Sequence, residues 1–489
     1  MILLLVSLIF PLVILFIFYT KLQKSKYPPG PPGLPFIGNL HQFDISTPHI
    51  YLWRLSEKYG PLMSMKLGSV PLIVVSSPKI AKEILKTNDL AFSSRPRILG
   101  QVKLSYDRLD IAFAPYSESW RELRKICVVH LLSNKQVHSF RPIREDEVFR
   151  MVKNISDGEV VDLSATMLSL TSTLICKVAF GKTEGFEMRR FDELMIESQV
   201  MQGGFRFVSD YLPLFGWVDR LSGLIARLDK VCKEFDEFYR EIIDEHLDQR
   251  RWKKVNPDNI LDLLIQLKED KLCSIELTWD HVKAILMDIF IAGTDTGAAT
   301  IVWTMTALMK NPTVMNKLQK HIREIIGEKG KVNEDDLPNL PYLKAAIKES
   351  LRLYPPAPLL LPRETLEKCN INGYTIQPKT LVYINAWAIA RDPEYWDNPN
   401  EFQPERFLNE NVDIVGQDFQ VIPFGSGRRG CPGISMGLAT VEIAVANLLY
   451  TFEWEMPPGM SNEDIDTEVL PGITMHRKNP LCLVPKKYI

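Results

Sequence analysis

Phe424–Gly437 reads FGSGRRGCPGISMG, and three chemistries compete for it. Gly425, Gly427 and Gly430 have the G-x-G-x-x-G spacing of a dinucleotide-binding turn. Gly433 to Gly437 has the G-x-S-x-G spacing of a hydrolase elbow around Ser435, and Cys431 stands between the two as a metal ligand. A dinucleotide turn needs a strand before it, an acid near the end of the next strand and further βαβ units. QVIPF offers a strand and Glu453 or Glu455 an acid, but Pro432 follows the third glycine closely and fewer than sixty residues remain. For the elbow, Asp464 or Asp466 and then His476 follow Ser435 in the right order. However, Ser435 is preceded by Arg-Arg-Gly-Cys-Pro instead of a strand and falls in the apolar helical run ISMGLATVEIAVANLLYTF.

Cys431 has the surroundings of a thiolate ligand to haem iron. It sits in a turn whose N–H groups can face the sulfur, just before a helix N-terminus whose dipole eases the negative charge. Gly425, Gly427, Gly430 and Gly433 bring backbone freedom, and Pro432 suits a first helical turn. Phe424 is placed to shield the sulfur and Arg429 to neutralise a haem propionate. An inert core cysteine is the alternative, but two arginines and four glycines make a poor core segment.

Upstream, helical period runs from about Thr278 to Lys310 with IAGTDTGAAT (291–300) in its middle. Gly293 and Gly297 inside such a helix cost on the order of 1 kcal/mol each relative to Ala. Either they let another helix cross closely, or the turn widens to admit a ligand with Asp295 and Thr296 facing it. Elsewhere SPKIAKEILKTND, SESWRELRKICVVHLLS, VCKEFDEFYREIIDEHLDQR and LPYLKAAIKESLRLY also repeat at three and four. Strand signals are local: LMSMKLGSVPLIVVS (62–76) around Gly68-Ser69, and CNINGYTIQPKTLVYIN (369–385) with an Asn372-Gly373 turn. The expected fold class is mainly α with small β-sheets.

The 489 residues, 46% hydrophobic and 24% charged, can bury a large core, and no repeat or low-complexity linker divides them after residue 36. A net charge of −2 gives no electrostatic reason for a nucleic-acid partner. The seven cysteines are scattered and lack any C-x-x-C pair, which suits a reducing compartment. The first nineteen residues carry no charge and as a helix would span about 28 Å, enough to cross a bilayer. Lys21, Lys24 and Lys26 follow at once, so an uncleaved anchor with a cytosolic body is expected over a signal peptide. Asn154-Ile155-Ser156 then stays unglycosylated. YPPGPPGLPFIGN (27–39) is a stiff spacer or a mere linker. The expected organisation is an anchor over 1–20, a basic and Pro-rich hinge over 21–36, and a catalytic domain over 37–489.

FGSGRRGCPG meets every fixed position of F-x-x-G-x-R-x-C-x-G, and the chain resembles the cytochromes P450, in particular the plant microsomal monooxygenases. SWRELRK matches W-x-x-x-R at Trp120 and Arg124, which the resemblance assigns to a propionate. AGTDT matches the oxygen-activation helix, and KESLRLYPP matches E-x-x-R at Glu349 and Arg352. PERF supplies Arg406 as third member of that buried group, and Arg363 in LPRET resembles a further propionate contact.

The resemblance implies a cytochrome P450 fold behind one N-terminal transmembrane helix, in the endoplasmic reticulum membrane with the body cytosolic. It implies haem b on Cys431 with Phe424, Gly425, Gly433, Trp120, Arg124, Arg363 and Arg429 around it. NADPH–cytochrome P450 reductase supplies electrons, Asp295 and Thr296 relay protons, and one atom of O2 enters a lipophilic terpenoid, alkaloid, phenolic or oxime. Arg121, Lys125 and Arg428 either steer the reductase or are ordinary solvated surface. The pocket is expected from Arg97–Tyr116, Met201–Phe207, Ile291–Thr296, Pro358–Leu361 and Gly472–Thr474. Ile291, Ala292, Leu359, Leu360 and Ile473 are the named substrate contacts. Residues 203–217 either dip into the membrane or pack as ordinary core. Reductase-independent isomerases or dehydratases and a non-enzymatic haem protein are the alternatives. The family's isomerases commonly depart from the acid–Thr pair or the Cys loop, and this chain keeps both.

Overall fold

The computed structural model describes residues 27–181, 188–252, 258–271, 273–409 and 412–488. The expected anchor (1–20) and the lysines at 21, 24 and 26 lie outside them. Five helices frame the interior: α1 (Glu118–Ile126), α2 (Leu163–Phe180), α3 (Trp279–Lys310), α4 (Pro341–Leu353) and α5 (Ile434–Thr451). Ser117 starts α1 by accepting the Trp120 N–H at 3.0 Å, and Trp120, Leu123 and Ile126 form its buried stripe. A capping box of Thr278 and His281 starts α3, which then runs 32 residues through the middle of the protein.

Two apolar cores meet on α3. Val282, Ile285 and Phe290 join one with α2, and Ile301, Met305 and Leu308 join the other with α4 and α5. Burial on nearly every side explains the composition of α2, α3 and α5. Each is long and apolar enough to cross a membrane, yet 61%, 78% and 67% of their most apolar windows are buried within the protein.

Four strands form the main sheet: β1 (Leu62–Leu67), β2 (Val70–Val75), β3 (Arg363–Glu364) and β4 (Leu381–Ile384), in the order β1-β2-β4-β3. The Gly68-Ser69 turn closes β1 and β2 into the expected hairpin, with Leu67 opposite Val70. The Asn372-Gly373 turn also forms, at φ 47° and 81°, and pairs Ile371 with Tyr374. The β-branched run after it separates from that hairpin and lies parallel to β2 as β4, Leu381 beside Leu72. A third sheet joins Val161–Asp162, Phe452–Glu455 and Cys482–Lys487, with Phe452 and Trp454 buried and Glu453 and Glu455 turned outward.

The proline-rich stretch is tied to the body. The Ser64 N–H donates to Pro29 O at 2.8 Å, Asn39 Nδ2 donates to the carbonyls of Pro31 and Pro32 at 3.2 Å, and a Cβ on Gly30 would fall 1.7 Å from Ser64 O. Described residues from Pro28 onward therefore hold a fixed position against β1.

Candidate functional site

The loop before α5 is shaped by two glycines. Gly425 and Gly427 have φ of 67° and 70°, a region costly for residues with a Cβ, and a Cβ on Gly427 would lie 2.4 Å from Leu85 O. The Gly430 N–H donates to Gly427 O at 3.0 Å and the Cys431 N–H to Phe424 O at 2.9 Å, closing the turn beneath the sulfur. Gly430 and Gly433 sit at ordinary φ, −59° and −96°, so the freedom expected of them is unused. Gly433 is the N-cap of α5, and Pro432 lies one residue ahead of it, outside the first turn where it was expected. The two short motifs dissolve here. No strand precedes Gly425, Ser435 Oγ donates to Asn134 at 2.9 Å, and His476 is engaged by Asp295.

Cys431 lies deep in the protein but opens onto an interior cavity of about 330 Å3. Burial pushes its thiol pKa up, while the Gly433 N–H and the Arg124 guanidinium favour the thiolate. Of the expected substrate contacts, Ile291, Ala292, Leu360 and Ile473 line this cavity with Phe424, Gly425 and Gly433. Leu359 does not. It packs with Leu381 and Tyr383 behind the wall, and Leu361 faces the cavity instead. Thr171, Leu174 and Ile175 of α2 complete the wall, a contribution with no local signal because their helical period looks like any other core face.

Four arginines converge on the cavity: Arg95, Arg124, Arg363 and Arg429. Arg429, 8% exposed, donates to the carbonyls of Ser93, Ile111 and Ala114 and stacks 3.9 Å over Trp120. Burial, and then Arg363 beside it, lower its pKa to about 9. Arg363 falls to about 10 through burial, offset by Asp89 at 3.5 Å. Arg124 donates to Gly430 O. Trp120 is behind this layer, its Nε1–H donated to Ile111 O at 3.0 Å. Arg95 escaped the sequence reading, since Ser-Arg-Pro carries no motif. It donates to the carbonyls of Ala112, Leu361 and Pro362, and burial followed by Arg429 and Arg363 lowers its pKa.

Two carboxyls lie on the same wall, Asp110 within the expected 97–116 stretch and Asp288 outside every expected segment. Burial, then the Asp288 carboxylate, pushes Asp110 well up. Burial raises Asp288 to about 6 against the N–H groups of Ile111 and Ala112. Asp110 is thus the partner that keeps its proton and Asp288 the N–H-held carboxylate, so the pair sets a single negative charge against the arginines. Hence the cavity holds a surplus of buried positive charge beside one thiol. An anionic group with a metal that accepts a single sulfur ligand, such as haem with its two carboxylates, fits these residues.

In α3, Thr296 lines the cavity and its hydroxyl donates to Ala292 O at 2.7 Å. Asp295 sits behind the wall, 5% exposed, with Oδ1 2.7 Å from His476 Nε2. The glycines serve both purposes, since Gly293 and Gly297 line the cavity and also let α2 pack closely. A Cβ on Gly293 would fall 2.7 Å from Ile175 Cδ1, and one on Gly297 3.3 Å from Thr171 Cγ2. The turn keeps its α-helical pattern throughout, so the expected widening is absent.

Glu349 and Arg352, both wholly buried, pair through Nε and Nη2 at 2.7 and 2.8 Å. Arg352 also donates to the carbonyls of Ala390, Pro399 and Glu401. Arg406 Nε stands 3.4 Å from Glu349 Oε1 without a hydrogen bond of its own, and the Gln403 N–H donates to the same oxygen at 2.9 Å.

A single thiol thus opens onto an apolar cavity rimmed by arginines, on a mainly helical body with small sheets. The chain belongs to the cytochrome P450 family, whose sequence model matches residues 28–484, and is an enzyme of its monooxygenase kind. It is 48% identical to 6,7,8-trihydroxycoumarin synthase of Pastinaca sativa, covering 97% of this chain and 96% of the relative. It is 50% identical to 5-OH-xanthotoxin synthase of the same plant, covering 98% and 97%. The fold is that of a zebra fish cytochrome P450 solved with abiraterone, with TM-score 0.75, 24% identity, and 90% of this chain and 100% of that one covered.

Proposed function

We propose that this chain is a membrane-anchored monooxygenase that hydroxylates a flat, largely apolar plant specialised metabolite, with haem b held by Cys431 and electrons from NADPH–cytochrome P450 reductase. When bound, the haem supplies the one-electron and dioxygen chemistry. The observation that carries the reading is the Cys431 thiol at a cavity lined by three buried arginines, Arg95, Arg363 and Arg429, and the half-buried Arg124. Arg124, Arg363 and Arg429 face the carboxylates, Trp120 backs Arg429, and Phe424, Gly425 and Gly433 shield the sulfur. Ile291, Ala292, Leu360 and Ile473 orient the substrate, with Leu359 behind them. Thr296 holds a proton at its hydroxyl on the cavity side, and Asp295 replenishes it. Glu349, Arg352 and Arg406 fix the segments around the loop. Two relatives bear the names of oxygenated aromatic products, which narrows the lipophilic substrate classes toward phenolic aromatics.

An apolar surface supports membrane contact in the endoplasmic reticulum. Phe36 and Leu214 are 91% and 90% exposed, with Leu34, Trp217 and Leu221 also exposed. Gly38 pairs with Leu67, and the Ser69 N–H donates to Tyr211 O, so the end of the spacer and the 203–217 segment share one side of the protein. The hinge from residue 21 and the body from residue 37 would hang from an anchor over 1–20. On the reductase side Arg121 and Lys125 are exposed but paired with Glu118 and Glu122, and Arg428 with Asp89. Their contribution to docking is therefore modest.

Microsomes carrying the chain, fed hydroxylated and methoxylated coumarins with NADPH, are expected to form one singly oxygenated product. Cys431→Ala is expected to lose both that product and the reduced carbon-monoxide difference band. A retained band would overturn the ligand assignment.

A further inference from the structure

Asp295 is the residue the proposed reaction asks to replenish a proton, yet it does not lie on the cavity wall. One carboxylate oxygen, Oδ1, contacts His476 Nε2 at 2.7 Å, and the other has no protein partner. His476 is not on the wall either, although its side chain is 32% exposed. Thr296 is on the wall, its chain neighbour Asp295 is buried behind it, and Asp295 meets a partly exposed imidazole.

The hairpin carrying His476 is fixed. Trp303 Nε1 donates to Met475 O at 2.7 Å, the Met475 N–H donates to Pro356 O at 2.8 Å, and Val469 pairs with Arg477. Other charges on this hairpin are committed elsewhere, Arg477 to Asp466 and Lys478 to Glu468. Pro355 and Pro356 carry none, and the charge α3 presents here is Asp295. Burial favours the neutral imidazole, but the Asp295 carboxylate overrides it and raises the pKa of His476 above the ordinary value.

We propose that His476 is the outer station of the proton path to Thr296, a positioning and relay residue for the Asp295 carboxylate. This rests on the monooxygenase reading above. The imidazolium gives its Nε2 proton to Asp295 Oδ1, leaving neutral imidazole and carboxylic acid. The acid passes that proton toward the Thr296 side and returns to carboxylate, and the imidazole, which still carries hydrogen on Nδ1, turns Nε2 off Asp295 to take its next proton from solvent before closing the contact again. Each cycle moves one proton inward.

The test uses the full-length haem-loaded protein with its reductase. In His476→Gln the amide N–H can still hold Asp295 but cannot carry a proton, whereas His476→Leu loses both functions. NADPH-driven O2 consumption without added substrate is expected to slow in both variants by about tenfold, less than for a proton donor beside the reacting atoms because water partly substitutes. The solvent deuterium effect should grow. The wild-type rate should fall as pH rises through the raised imidazole pKa, and that limb should vanish in both variants. Gln restoring wild-type rate and pH profile would overturn the relay and leave only a structural contact. Independently of turnover, the imidazole resonance of His476 in histidine-labelled protein should titrate above the ordinary range and fall back in Asp295→Asn. Identical titration in the two proteins would also overturn the proposal. Wild-type protein lacking NADPH-driven O2 consumption would instead defeat the monooxygenase reading, while the titration still decides whether the pair exists.

Discussion

Two groups of buried arginines in this molecule have opposite electrostatics. Arg352 meets the Glu349 carboxylate through two hydrogen bonds and is charge-balanced by its own helix. Around the cavity, Arg95, Arg124 and Arg429 donate chiefly to backbone carbonyls, and Arg363 shares Asp89 with Arg428. Carbonyl dipoles satisfy donors without cancelling charge, so the second group remains a receptor for an anion while the first is a finished strut. The compensated group holds the fold, and the uncompensated group keeps stability in reserve for a ligand.

The largest effect should come from breaking the strut. Arg352→Leu leaves the buried Glu349 charge without its bidentate partner, with Arg406 at 3.4 Å and the Gln403 N–H facing only one oxygen, at a cost of about 3–5 kcal/mol, enough to prevent accumulation of folded protein. Glu349→Gln/Arg352→Leu together should recover part of that loss in chemical unfolding, and no recovery would mean the pair is not charge-balanced as described.

A smaller effect, and in a different observable, is expected at the receptor. Arg363→Leu leaves Asp89 paired with Arg428, so apo-protein stability should change little, while haem retention falls about tenfold for one lost charge-assisted contact. An iron-free porphyrin carrying both carboxylates should show the same loss by fluorescence titration, and its diester should be indifferent to the substitution. Equal binding of acid and diester would remove the anion-receptor reading.

The smallest effect concerns the carboxyl pair near those arginines. Asp288 titrates near 6 in the folded state and near 3.8 in the unfolded chain. Its contribution is fully present below the lower value and is lost as pH rises through the upper one. Asp110 is itself raised well above its ordinary value, by burial and then by Asp288, so its protonation also stabilises the fold as pH falls. Asp110→Asn removes that contribution, and wild type should gain stability relative to the variant between pH 6 and 4 by on the order of 1 kcal/mol. A difference that does not vary with pH would show that Asp110 keeps an ordinary carboxyl pKa in the fold.

Legibility in the sequence followed the range of the forces involved. The Cys431 turn closes through two local bonds and two positive-φ glycines, so its spacing carried its shape, while the bonds of Gly430 O to Arg124 and of Arg429 to Ser93, Ile111 and Ala114 span over three hundred residues and were not readable. Glu349 and Arg352, three apart on one helix, were equally readable. The glycines of α3 were noticed, but whether they faced a helix or a ligand depended on Ile175 and Thr171, over a hundred residues away. His476 was seen first as the third member of a hydrolase triad, and its partner 181 residues distant could not be inferred from period or motif. Arg95 and Asp110 lie in an irregular stretch where neither helix nor strand period restricts which side chains turn inward.

Gly293 gives Ile175 a double position, touching the backbone of α3 at one end and the cavity at the other. A lineage of such proteins can therefore explore new pocket shapes by exchanging Ile175 for Val or Leu. Each step nudges the spacing of two helices and the contour of the wall together while the sulfur loop, the arginines and the oxygen-handling threonine stay untouched. Diversification of chemistry would then proceed from the rear of the pocket, through neighbours one methyl group apart.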